Sequence, residues 1–209
     1  LQRATQQVRR ILEEEFAEQL EGTFDVLADG TIAAEAGSHL NGSQRLTRQK
    51  LVQAIAHIQS GEKTPRDAIE EYLRQAAFTI LNRFVALRML EARELLQQCV
   101  SKGDESSGFK EFCGLAPGLS ALPDDGYRLY LECLCDELTV EIKVLFDRRD
   151  PTTLLWPRRS AMSAMLDVLA QPELASVWAE DETIGWVYQY FNDDEERTRM
   201  RTESQAPRN

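Results

Sequence analysis

The chain has no long hydrophobic run, no glycine-rich phosphate loop, little histidine and no excess of positive charge. No apolar stretch approaches the roughly 20 residues that span a bilayer, and no basic-then-apolar N-terminal segment marks a secretory signal. The expectation is a cytoplasmic, non-membrane protein. Only His39 and His57 are present, and the four cysteines, Cys99, Cys113, Cys133 and Cys135, form no C-x-x-C pair. A zinc centre needs about four ligands at characteristic spacing, so the cysteines read as reduced structural thiols and no metal site is expected. A hydrolase triad has no support: neither histidine lies near a G-x-S-x-G, and His57, among Ala54, Ile55, Ala56 and Ile58, reads as a partly buried helix residue. Neither G-x-G-x-x-G nor G-x-x-x-x-G-K-[ST] occurs. The formal net charge of −11 opposes strong nucleic-acid binding by the chain as a whole and leaves room only for local basic spots.

What is present reads as helix. The 209 residues are 43% hydrophobic and 28% charged, the balance of a globular domain. Residues 1–21 carry Val8, Ile11, Leu12, Phe16 and Leu20 at helical spacing, with Glu13, Glu14, Glu15 and Glu18 mostly on the wet side. Asp29-Gly30, between short alternating runs at 24–34, predicts a small hairpin or tight turn. A helix is expected from Leu46 to about Ser60, closed by Gly61. Thr64-Pro65, with Asp67 in the first turn, then opens a long helix running to about Val100. Loops and a short turn at 109–112 follow. A second long helix is expected from Gly126 to about Asp147, an extended proline-bearing connector to Arg159, a helix at 161–170, a short one near 173–179 and a last helix from Asp181 or Thr183. The acidic run Asp193-Asp194-Glu195-Glu196 and the polar tail after Arg201 read as solvated chain. The prediction is an all-α bundle of six or seven helices, organised as 1–43 (N-terminal helix and hairpin), 44–148 (long-helix core) and 149–209 (connector and aromatic helix).

The segment Phe78 to Arg93 is apolar nearly all round, which places it inside the domain. Its Asn82, Arg83, Arg88 and Glu91 must then be paired, because a lone buried charge costs several kcal/mol; a structural network is favoured over a ligand site. Arg148, Arg149, Arg158 and Arg159 form the best local basic group and flank Trp156. They are candidate contacts for nucleic-acid phosphates, against the alternative of pairing with Asp147, Asp150 and Glu141, which the acidic whole favours. Trp186, Tyr188, Tyr190 and Phe191 point around more than one face of their helix, as suits a helix wedged between two bodies. Pro123-Asp124 with Glu141-Ile142-Lys143 matches a nuclease motif as text, but the helical period from Tyr127 to Phe146 contradicts it.

Longer strings carry a resemblance. Ala77-Phe78-Thr79-Ile80-Leu81-Asn82-Arg83-Phe84-Val85-Ala86-Leu87-Arg88-Met89-Leu90-Glu91 resembles the AFTWLNRLVALRxxE segment of large adenine-specific DNA methyltransferases, the PglX-like enzymes of BREX-type phage defence and related type IIG restriction-modification methylases. Gly108-Phe109, Gly126-Tyr127-Arg128, Leu145-Phe146-Asp147 and Leu155-Trp156-Pro157 follow in the order of that family. The stretch ending Gly185-Trp186-Val187-Tyr188-Gln189-Tyr190-Phe191 is similar to its GWxYQYF element. The resemblance covers most of the chain from about residue 45 onward. It implies a region ahead of the catalytic domain, whose S-adenosylmethionine loop and adenine-gripping Asn-Pro-Pro-Tyr come later; neither is present here. No catalytic or cofactor residue is therefore carried over, and S-adenosylmethionine is expected only in a parent protein. Leu1 in place of Met fits a piece of a longer chain. The implied partners are a C-terminal methyltransferase domain, DNA through the parent, and subunits of the defence system. The alternative is a stand-alone helical adaptor.

Overall fold

The computed structural model describes residues 1–60 and 63–192. The expected terminator Gly61, the acidic run at 193–196 and the tail lie outside them. Among the described residues the chain is all-α. Its helices are α1 (Gln2–Gly22), α2 (Gly42–Gln59), α3 (Pro65–Ala92), α4 (Ser107–Leu115), α5 (Tyr127–Leu138), α6 (Lys143–Phe146) and α7 (Arg159–Leu169), and α8 covers 183–192. Short 3-10 turns join them. The small hairpin or tight turn expected at 24–34 is a tight turn closed by one antiparallel bridge, Val26 to Ile32.

The local signals that start helices behave as their chemistry requires. Asn41 caps α2 with a reciprocal box: its side chain accepts from the Gln44 N–H, and the Gln44 side chain accepts from the Asn41 N–H, both at 2.9 Å. Thr64 accepts from the Asp67 N–H at the head of α3, with Pro65 following. Arg158 precedes α7 and lends no side-chain cap.

The core is built around α3. From Ala76 to Glu91 nearly every residue is buried or half-buried, as an all-round apolar helix demands. Helices α1 and α2 pack on it, and α7 packs on α1. Val8, Leu12 and Phe16 of α1, Leu51 and Ile55 of α2, and Ile80, Leu81 and Phe84 of α3 are almost wholly removed from water; each such side chain contributes about 1.5–3 kcal/mol relative to exposure. One apolar cluster continues from these through Phe109, Leu131 and Phe146 to Trp178 and Phe191.

Two long helices end sooner than their periodicity predicts. Helix α3 stops at Ala92, not near Val100. Glu94 takes a left-handed conformation (φ 58°), the Leu95 N–H donates to the Leu90 carbonyl at 2.9 Å and the Glu94 N–H to the Glu91 carbonyl at 3.0 Å. That is a Schellman ending carried by a residue other than glycine. Glu91 then holds the returning chain: its carboxylate accepts from the Cys99 and Ser101 N–H groups and, at 2.5 Å, from the Ser101 hydroxyl. The second helix breaks at Thr139, whose hydroxyl donates to the Cys135 carbonyl at 2.7 Å. Such back-bonding and the β-branched residues Thr139, Val140 and Ile142 both weaken the helix there. Glu141 and Lys143 of the nuclease-like string sit exposed at this break between helices, not on strands.

Two other expectations need correction. Glu15 is buried on α1 rather than wet. Its carboxylate accepts from the Gln19 side-chain amide at 2.5 Å and from the Arg158 N–H at 3.1 Å, and that same amide donates to the Trp156 carbonyl at 2.8 Å. The short helix near 109–112 is longer, and its Gly108 is sterically required: a Cβ there would collide with the Tyr130 hydroxyl and approach the Gln98 carbonyl oxygen to 2.8 Å.

Arg83→Ala is expected to destabilise the fold by about 2–4 kcal/mol, because two part-buried carbonyls lose a charged donor. Arg88→Ala is expected to cost less, since among the described residues its one ion pair is at 3.9 Å and its Nε has no hydrogen-bond partner. Urea unfolding of both variants checks the order; equal losses would contradict it.

Candidate functional site

The polar group inside α3 is a clamp. Arg83 is 3% exposed and donates from Nε to the Leu145 carbonyl at 2.8 Å and from Nη2 to the Asp147 carbonyl at 2.7 Å. It thus fixes the end of α6 to the central helix through backbone acceptors. Burial pushes the Arg83 pKa below its ordinary value, opposed by Cys135 and Asp150. Arg88 lies 3.9 Å from Glu91 and 6.0 Å from the centre of the Trp178 ring. Among the described residues the Asn82 Oδ1 and Arg88 Nε are buried without a hydrogen-bond partner, so the pairing expected of this group is met by Arg83 and Glu91 and only in part by Arg88. Tyr127 donates to the Cys99 carbonyl at 2.5 Å, and burial pushes its phenol up in pKa. A bonded, desolvated phenol of this kind is structural rather than acid-base machinery.

The four arginines of the connector do not form one patch. Arg148 pairs with Glu132 at 2.8 Å and Asp136 at 2.5 Å. Arg158 reaches Glu15 at 3.5 Å and Glu18 at 3.8 Å, and Arg159 reaches Asp104 at 3.5 Å and Asp125 at 3.6 Å. These acids come from other helices and turns, not from the sequence neighbours Asp147, Asp150 and Glu141. Arg149 is exposed and makes no side-chain ion pair among the described residues. Arg148 and Arg149 line a groove of about 640 Å³ beside α2. Arg159 lines a separate cleft of about 330 Å³ with Trp156. Trp156 is engaged within the fold, 6.1 Å from the Phe84 ring and 5.4 Å from the Arg128 guanidinium.

The aromatic helix α8 divides by face. Phe191 is buried against Phe78 at 4.9 Å, with the Arg9 guanidinium 4.8 Å from its centre. Tyr188 meets Phe78 edge-on at 5.6 Å yet stays 60% exposed, and Trp186, 45% exposed, stacks on Tyr190 at 5.9 Å. Thr183 starts this helix, its hydroxyl donating to the Val177 carbonyl.

Comparisons of the chain with protein-family models, with curated proteins and with solved structures found no match. Site assignment therefore rests on geometry. Among the described residues no three His, Cys, Asp or Glu side chains gather as metal ligands, and no helix is long and apolar enough to cross a membrane. The sequence assigns no role to Lys50 or Gln53 and reads His57 as a partly buried helix residue. His57 is exposed, not partly buried, and the three share one face of α2, the face that lines the 640 Å³ groove. Their i, i+3, i+7 spacing was the available signal.

The thiols should divide by exposure. Burial pushes Cys99 far up and Cys135 up to about 11, so neither forms thiolate near neutral pH. Cys133 is exposed. A thiol-reactive dye is expected to label Cys133 first and Cys99 and Cys135 only on unfolding; rapid labelling of Cys99 in the native protein would contradict this packing.

Proposed function

We propose that this chain is the non-catalytic helical region of an adenine-specific, S-adenosylmethionine-dependent DNA methyltransferase from a phage-defence or restriction-modification system. The observation that carries the reading is the convergence of the resembling strings on one another. Arg83 of the Asn82-Arg83 string holds the carbonyls of Leu145 and Asp147. Phe84 of the same helix meets Trp156, and Phe78 meets Tyr188 and Phe191. Phe109 packs on Tyr127 at 5.3 Å. Gly126, at φ 85°, turns the chain into α5 where a side chain would press on Leu119. Residues of one interlocked core constrain one another, so a resemblance that spans all of them is a resemblance of one scaffold.

In this reading the parent enzyme transfers a methyl group from S-adenosylmethionine to the exocyclic amine of adenine in the cytoplasm, with the cofactor loop and Asn-Pro-Pro-Tyr supplied by a following domain. The exposed face of α8 that carries Ile184 and Tyr188 one turn apart, with Trp186 exposed on another side, is suited to dock that domain. The same face favours a second reading, a helical adaptor that binds another protein of the defence system.

The chain alone is expected to bind no S-adenosylmethionine and to transfer no methyl group to DNA; measurable transfer would refute the non-catalytic assignment. Sequencing the gene beyond the Asn209 codon separates the two readings. A glycine-rich loop followed by Asn-Pro-Pro-Tyr supports the methyltransferase, and an early stop codon puts the adaptor in its place.

A further inference from the structure

We infer that the groove between α2 and the connector at 148–154 binds one strand of a nucleic-acid phosphodiester backbone, an inference that rests on the DNA reading above for its choice of polyanion. The groove encloses about 640 Å³. Ala54, Ile58, Tyr72 and Leu154 give it an apolar floor, and the Tyr72 hydroxyl, donating to the Pro151 carbonyl at 2.9 Å, ties that floor to the connector. Lys50, Gln53 and His57 line it from α2, and Arg149 from the connector. These four side chains make no hydrogen bond or ion pair among the described residues.

The charge balance is what sets the groove apart. The chain carries a formal net charge of −11, and its other connector arginines are matched by acids. Among the described residues Asp150 is the one carboxylate lining this groove, and its Oδ1 accepts from the Thr152 N–H at 2.8 Å and hydroxyl at 2.6 Å. Lys50 and Arg149, unpaired among the described residues, therefore outnumber the one lining carboxylate above an apolar floor. A phosphodiester strand alternates anionic phosphate with apolar sugar and matches both. From Lys50 to His57 is about 10 Å along the helix axis, the rise of about three nucleotides of one strand. The cleft at Trp156 is nearer balance: Lys102, Arg128 and Arg159 line it with Asp104 and Asp167, and Arg128 and Arg159 are already paired with Glu132 and Asp104.

The test is fluorescence anisotropy of a labelled short DNA duplex titrated with the full chain over a series of salt concentrations. Lys50→Glu with Arg149→Glu is expected to weaken binding on the order of tenfold or more and to lower the salt slope by about 1 for each lost phosphate contact. The neutral pair Lys50→Gln with Arg149→Gln should show a smaller loss of the same kind. Lys102→Glu, exposed at the other cleft, should bind like the parent chain. Unchanged binding by both double variants, or no binding of the parent chain at low salt, overturns the inference. Tighter binding to phosphatidylserine vesicles than to DNA, lost in the same variants, would assign the groove to a lipid headgroup and overturn it as well. These outcomes leave the methyltransferase reading to the downstream gene sequence, whose failure would leave the groove measurement standing.

Discussion

A buried guanidinium holds the fold in register. Arg83 projects from the middle of α3 and is bonded not to an acid but to the backbone of Leu145 and Asp147. A guanidinium stays charged when buried and needs acceptors for its donors. Carbonyls at the end of a helix are orphan acceptors that need donors. Each satisfies the other, and the chain at 145–147 can sit only where that exchange is made. The connector that follows is pinned from α1 by Glu15 and Gln19 and from α3 by Tyr72 and Thr79. Both clefts, and the separation of Arg148–Arg149 from Arg159, follow from the path this pinning imposes.

The same logic recurs at the other end of α3. Glu91 accepts from the backbone of Cys99 and Ser101, so the central helix grips the chain on both sides through one cation and one anion, each directed at main-chain groups. Arg93 adds a third tie, donating to Asp181 at 2.7 Å and drawing the approach to α8 against the helix end. A bundle of this kind depends less on matched side-chain charges than on charged side chains that finish incomplete helix ends.

Periodicity made much of this architecture legible. The all-α class, the central place of α3, the caps at Thr64 and the turn at Asp29-Gly30 are local chemistry, and local chemistry is written in order along the chain. The two overlong helices were misjudged for identifiable reasons. Leu95, Leu96, Cys99 and Val100 keep an apolar rhythm after the helix has turned back, because the returning chain packs on the same core. The left-handed position is held by Glu94, which gives no glycine signal. Past Thr139, Ile142, Leu145 and Phe146 likewise keep the helical period across a real break. The site was less legible. The four connector arginines look like one basic group in sequence, yet Arg148, Arg158 and Arg159 pair with acids from α1, α5 and distant turns, and Arg149 makes no ion pair among the described residues.

The sequence by itself determined which segments are helical, which face of each is apolar, and that α3 must be surrounded, because these follow from side-chain pattern and propensity within a few turns. The tertiary structure alone decided which cations are neutralised and which are left free. Arg148 is matched by Glu132 and Asp136, while its neighbour Arg149 faces Lys50 and His57 across a groove. Coulomb interactions act through space at a few ångströms, so pairing between residues far apart in the chain is set by packing rather than by their order.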